Sequence, residues 1–172
     1  MYQSKITEEE FLKRIESANI VLVHEEYNGL KVSFGDTNSW YLFKTNKCVY
    51  HQFEIFEMVK ELEGLKEFEY TSKITSELYY DSLTVNPNLE TLILSHMENI
   101  GDIKQLGNIK NLCLGTFKVE WLNLLPKTLK IIEISNLEVE NEEEYNMIIE
   151  YFNDHNIDYL FENYSNWKPS EE

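Results

Sequence analysis

Cysteine, glycine, proline and basic side chains are all scarce in this chain of 172 residues. Two cysteines, Cys48 and Cys113, leave no material for a disulfide framework or a four-thiolate zinc site, so both are expected to be reduced. Six glycines leave little for a phosphate-cradling turn, and no P-loop, Gly-x-Ser-x-Gly elbow or His-Glu-x-x-His pattern occurs. His24, His51, His96 and His155 fall on four different expected elements, none with a second ligand at metal spacing. No metal, no cofactor and no enzyme activity are therefore expected. No apolar run approaches the roughly 18 residues of a membrane span, and MYQSKITEEEF lacks a basic segment followed by an apolar one. A cytoplasmic protein with no membrane partner is the expectation.

Acidic and apolar residues are plentiful. Thirty-one Asp plus Glu against 15 Lys plus Arg give a formal charge of −16, a field that repels nucleic-acid phosphates and steers basic proteins inward. The same charge also serves solubility. A hydrophobic content of 42%, with eleven Tyr, nine Phe and three Trp, is enough to build a core despite that charge.

Thr7-Glu8-Glu9-Glu10 reads as a capping box, and Phe11, Leu12, Ile15 and Ala18 follow at helical spacing. Ile20 to Glu26 and Leu30 to Phe34 are strand-like and flank Asn28-Gly29, a hairpin dipeptide. After a turn at Gly35-Asp36-Thr37-Asn38, Trp40 to Phe43 supplies a third strand of a meander. From about His51, Phe53, Phe56, Val59 and Leu62 share a helical face, and Gly64 suits the C′ position. Trp40, Tyr41, Phe43, Tyr79 and Tyr80 read as core aromatics.

Beyond Gly64 an apolar-x-x-apolar-x-apolar motif recurs. Its instances are Leu65-Phe68-Tyr70, Leu89-Leu92-Leu94, Ile109-Leu112-Leu114, Leu129-Ile132-Ile134 and a broken Ile157-Leu160-Glu162. The starts are spaced by 24, 20, 20 and 28 residues, and Met97, Phe117 and Leu137 recur at 20 as well. The pattern resembles a leucine-rich repeat, and the stretch from Asn99 to Leu112 resembles the repeats of internalin-type bacterial proteins. The position usually filled by a ladder Asn or Cys holds Met97, Phe117 and Leu137 instead, so the buried turns must satisfy their backbone groups another way. A capping box at Asn141 and Glu144 opens a helix over 142 to 154 before the last strand. The expected fold is α/β: residues 1–64 form a capping unit of helix, three-stranded meander and helix. Residues 65–163 form a short repeat solenoid with a parallel sheet, and 164–172 a flexible tail.

That resemblance implies a concave sheet face made of the residues between the motif positions. They are Glu67, Glu69 and Thr71; Thr91, Ile93 and Ser95; Asn111, Cys113 and Gly115; Ile131, Glu133 and Ser135; and Tyr159 and Phe161. Either this face receives a partner, or the meander or last helix folds over it. On the first alternative the chain is a non-catalytic protein-binding module, most concretely an immunity-type inhibitor of a basic toxin or enzyme, steered by charge. The alternatives are a general leucine-rich-repeat adaptor or an enzyme with an unrecognised site.

Overall fold

In a computed structural model, residues 5–26, 29–36, 39–44, 48–71, 88–95 and 108–170 are described. The expected turn residues Asn28, Thr37 and Asn38, together with Tyr79, Tyr80, His96, Met97 and residues 99–107, lie outside them. Helix α1 spans Glu8–Ile15, with the Glu10 amide donating to Thr7 Oγ1 at 3.2 Å, as the capping box requires. Strands β1 (Ile20–Glu26), β2 (Gly29–Ser33) and β3 (Trp40–Lys44) form the antiparallel meander. β2 starts one residue earlier than the alternation suggested, because Gly29 pairs with Glu26 and belongs to the ladder. Helix α2 (Cys48–Lys60) buries Ile55, Phe56 and Val59. It ends at Lys60, not beside Gly64; the positive-φ glycines of the described residues are Gly29 and Gly35.

Five parallel strands follow: β4 (Glu67–Tyr70), β5 (Thr91–Leu94), β6 (Asn111–Lys118), β7 (Ile131–Val139) and β8 (Asp158–Asn166). A 3-10 helix at Val119–Leu124 and helix α3 (Glu142–Asp154) lie between the later ones. All eight strands join one open sheet in the order β3-β2-β1-β4-β5-β6-β7-β8. The meander thus extends the parallel sheet sideways through β1, which pairs parallel to β4. It does not fold across a face.

The repeat spacing becomes register. Phe68 pairs with Leu92, Leu92 with Leu112 and Leu112 with Ile132, and Tyr70, Leu94, Leu114 and Ile134 align in the same way. These residues are all buried, and Leu65, Leu89, Ile109 and Leu129 join them beneath the sheet. Val21 and Val23 of β1 continue both columns beside Phe68 and Tyr70. The described helices pack on this one face: Phe11 stacks on Tyr41 at 4.8 Å, Phe56 meets Phe68 at 5.5 Å, Trp121 meets Phe117 at 6.0 Å and Phe152 meets Phe117 at 6.1 Å. One buried cluster runs from Ile6 to Ile157.

The backbone finds repetitive partners in place of an asparagine ladder. At the starts of β4 to β7 one carbonyl at the start of the preceding parallel strand accepts from two successive amides: Asn19 from Lys66 and Glu67, Lys66 from Glu90 and Thr91, Glu90 from Lys110 and Asn111, Lys110 from Lys130 and Ile131. The polar residue just before the motif ties back the preceding segment, with Asn88 Nδ2 donating to the Glu63 carbonyl at 2.6 Å and Thr128 Oγ1 to that of Ile109 at 2.7 Å. Above these starts Lys110 Nζ lies 2.9 Å from Glu90 Oε1, and its hydrogen bond and charge hold the Glu90 carboxyl below the usual range.

β6 and β7 bend after Leu114 and Ile134. Alternation would next bury residues 116 and 136, yet Phe117 and Leu137 are the buried ones, so the parity of both strands changes together. Pairing resumes at Thr116↔Asn136 and, on β8, Asn136↔Asn163. Asn163 Nδ2 donates to the Ser135 carbonyl at 3.2 Å, covering a group the bend would otherwise leave open. Tyr164 to Asn166 belong to β8 and Trp167 packs 5.4 Å from Tyr145, so the segment expected to be loose from residue 164 begins as paired strand.

At the bend, a Cβ on Gly115 would collide with the Ser95 carbonyl, a backbone group that cannot swing aside. We expect Gly115→Ala to lower stability by about 1–3 kcal/mol and Leu112→Ala, in the middle of the buried column, by about 2–5 kcal/mol. Urea unfolding midpoints at constant slope measure both.

Candidate functional site

With the described helices on one face, the opposite face of the sheet carries the side chains between the buried columns. One row crosses all eight strands: Trp40, Ser33, Leu22, Glu69, Ile93, Cys113, Glu133 and Leu160 are successive cross-strand partners. A second runs Ile20, Glu67, Thr91, Asn111, Ile131 and Asp158. The expected residues Glu67, Glu69, Thr91, Ile93, Asn111, Cys113, Ile131 and Glu133 are therefore brought together, and Ser95 follows β5 at their margin. Their offsets of 24, 20 and 20 equal the motif spacing, which is why these positions were legible.

Tyr159 and Phe161 are a correction. Ile131 pairs with Asp158, an offset of 27 and not the 28 read from Ile157, and a one-residue slip in a strand exchanges its faces. Tyr159 and Phe161 accordingly turn to the helix side, 5.5 and 6.2 Å from the Phe152 ring and stacked on each other at 5.1 Å. Asp158 and Leu160 take their places, with Leu160 56% exposed. Trp40, read as core, is a second correction. It pairs with Ser33 on the open face, and Lys31 Nζ sits 5.2 Å from its ring centroid. The alternation of Trp40-Tyr41-Leu42-Phe43 carried no cue to which face was core, since all four are apolar.

The face is acidic around an apolar middle. Strand spacing of about 4.8 Å puts Glu69 and Glu133 roughly 14 Å apart, with Ile93 and Cys113 between them. Ile131, 42% exposed, and Leu160 extend that middle toward β8. Among the described residues it has few basic side chains: His24 Nε2 lies 3.7 Å from Glu69 Oε1, and Lys31 Nζ 4.0 Å from Glu26 Oε1. At the meander end a shallow concavity of about 440 Å³ is lined by Leu22, His24, Lys31, Trp40 and Thr71 among others. Asn111 Nδ2 donates to Thr91 Oγ1 at 3.1 Å, which holds two of the polar side chains flat on the sheet.

Cys113 is the face's one potential nucleophile. Burial pushes its thiol up to about 11, aided by the charge of Glu133, whose Oε2 lies 3.7 Å from Sγ, and by Glu67 and Glu69. The thiol is held protonated, which is the opposite of how a nucleophilic cysteine is activated. Among the described residues no group of three or more His, Cys, Asp or Glu side chains is arranged to hold a metal, and no helix is long and apolar enough to cross a membrane. At pH 8 roughly one Cys113 in a thousand is thiolate, so its alkylation by iodoacetamide, followed by peptide mass spectrometry, should be far slower than that of a free thiol. Glu133→Gln should speed it by removing the nearest negative charge; an unchanged rate would mean that burial alone protects the sulfur. Comparison of the chain with known protein families, with curated proteins and with solved structures gives no match.

Proposed function

We propose that this chain is a non-catalytic protein-binding module, and most concretely an immunity-type inhibitor that neutralises a basic toxin or enzyme by stoichiometric binding. The observation that carries this reading is the row Glu69-Ile93-Cys113-Glu133-Leu160, in which Ile93 and Cys113 lie between two carboxylates and Leu160 beyond them, on a laterally extended sheet. An apolar centre supplies contact area, while a predominantly acidic surround on a chain of −16 accelerates encounter with a basic surface and disfavours acidic ones. Nucleic acid and anionic membranes are poor partners for the same reason.

The leucine-rich-repeat identity belongs to the same proposal. It is supported by the stacking of the motif residues at 20-residue offsets and by the repeated carbonyl bonding at each strand start. A general repeat adaptor would use the same face without inhibiting what it binds. The activity of the captured partner separates the two readings.

The test is capture from a lysate of the native host by wild type and by Glu69→Lys/Glu133→Lys, at low and at high salt. Glu133 is exposed and Glu69 half-buried, so the melting temperature of the variant is measured alongside, and that of Glu133→Lys alone should stay within a few degrees of wild type. We expect one basic protein held by the wild type, released at high salt, and bound at least about tenfold more weakly by the variant. Identical capture by both forms would remove the face from consideration.

A further inference from the structure

The two ends of the sheet are treated differently. At β3 the amides of Lys5 and Ile6 both donate to the Trp40 carbonyl, at 3.1 and 3.3 Å, so the preceding chain occupies part of that edge. At the other end β8, nine residues long, pairs among the described residues only with β7. The Asp158 amide donates to the Lys130 carbonyl. The backbone groups of a strand alternate in direction, so the N–H and C=O of Tyr159 and Phe161 point away from β7, along the free edge. Edges are commonly protected by charged side chains, Pro or bulges; Asp158–Asn166 has no Lys or Pro, and its charges are the carboxylates Asp158 and Glu162, which deter acidic or identical strands and admit basic ones.

The side chains of β8 specify what this edge accepts. On the open face Asp158 and the exposed Glu162 flank Leu160. On the helix face Tyr159 and Phe161 form an aromatic shelf beside Phe152. A ninth strand would therefore be favoured with basic residues on its open-face positions and apolar ones on the alternate positions. A second copy of this chain is a poor occupant: a two-fold pairing centred on Leu160 sets Asp158 directly against Glu162, and each copy carries −16.

We propose that β8 is a strand-addition site that receives an extended segment of a partner protein in which basic and apolar residues alternate. Main-chain bonds to Tyr159 and Phe161 would supply affinity, and Asp158 and Glu162 the choice of sequence. The proposal rests on the reading of the chain as a binder of basic protein, yet it commits to a different surface, the edge and not the Glu69–Glu133 row.

The probe is a short capped peptide in which lysine and valine alternate, compared with the same peptide N-methylated along one edge. Binding is followed by fluorescence anisotropy, and amide hydrogen exchange of the protein by NMR. The expected result is saturable binding that weakens at least about tenfold on N-methylation, and slowing of the Tyr159 and Phe161 amides by a similar factor on peptide addition. Asp158→Lys/Glu162→Lys changes only exposed side chains. It should abolish binding of the lysine peptide and transfer it to an alternating glutamate and valine peptide, while Glu69→Lys/Glu133→Lys should leave the amide protection in place. Equal binding of the N-methylated peptide, or shifts confined to Ile93, Cys113 and Ile131 with no slowing at Tyr159 and Phe161, would overturn strand addition and leave only charge attraction to the face. A concentration-dependent dimer that protects those two amides without peptide would overturn it in favour of a second copy.

Discussion

Everything in this molecule depends on the repeated hand-over of backbone hydrogen bonds at the strand starts. Asn19, Lys66, Glu90 and Lys110 each offer one carbonyl to two amides of the following strand. A carbonyl that anchors two amides is a backbone tie in the same register that the burial of one face specifies. The buried columns share this register: Val21, Phe68, Leu92, Leu112 and Ile132 lie in one line across five strands. Removing an apolar column member leaves a cavity in an otherwise correct sheet; shifting a register exchanges both faces at once.

That constraint also produces the candidate binding face. A parallel sheet is usually buried on both sides. Here the described helices all pack on the side of Phe68 and Leu112, and the meander prolongs the sheet at its edge. On β4 to β8 the described residues opposite the core are half-buried or exposed, whereas Ser33 and Leu42 of the meander, on the same side, are buried. Ile93 and Cys113 lie between the carboxylates of Glu69 and Glu133, and Cys113 is kept neutral first by its burial and then by those negative surroundings.

Much of this was legible in the residues. The Thr7 and Asn141 caps, the period-two alternation of Ile20 to Glu26, and the 20-residue recurrence of Leu89, Ile109 and Leu129 each rest on short-range stereochemistry that a single chain displays. The errors came where the local signal was symmetric or interrupted. Trp40 sat in a run of four apolar residues, so neither face was marked. Gly64 had the right side chain for a helix stop but α2 had already ended at Lys60. The step into β8 carries the whole of α3, and a helix of that length erases the count from which parity is read. Tyr159 and Phe161 consequently lie on the face opposite to the one the 28-residue spacing implies.

The sequence by itself determined where the α-helices and the cores of the strands fall, that each motif contributes one residue to each of two buried columns, and which residues of β4 to β7 lie between the buried ones, because hydrophobic periodicity and caps act within a few residues; the 3-10 helix at Val119–Leu124 and the extension of β6 and β7 to Lys118 and Val139 were not marked in it. Only the tertiary structure decided that the meander extends the sheet and does not cover it, that the strands change parity at Gly115 and Ser135, and that β8 presents Leu160 and not Tyr159 to the open side. These outcomes turn on contacts between residues far apart in the chain: the β1–β4 pairing, the approach of Gly115 to the Ser95 carbonyl, and the seating of Tyr159 and Phe161 against Phe152. Energies of that kind are absent from any local pattern and exist only once the sheet is assembled.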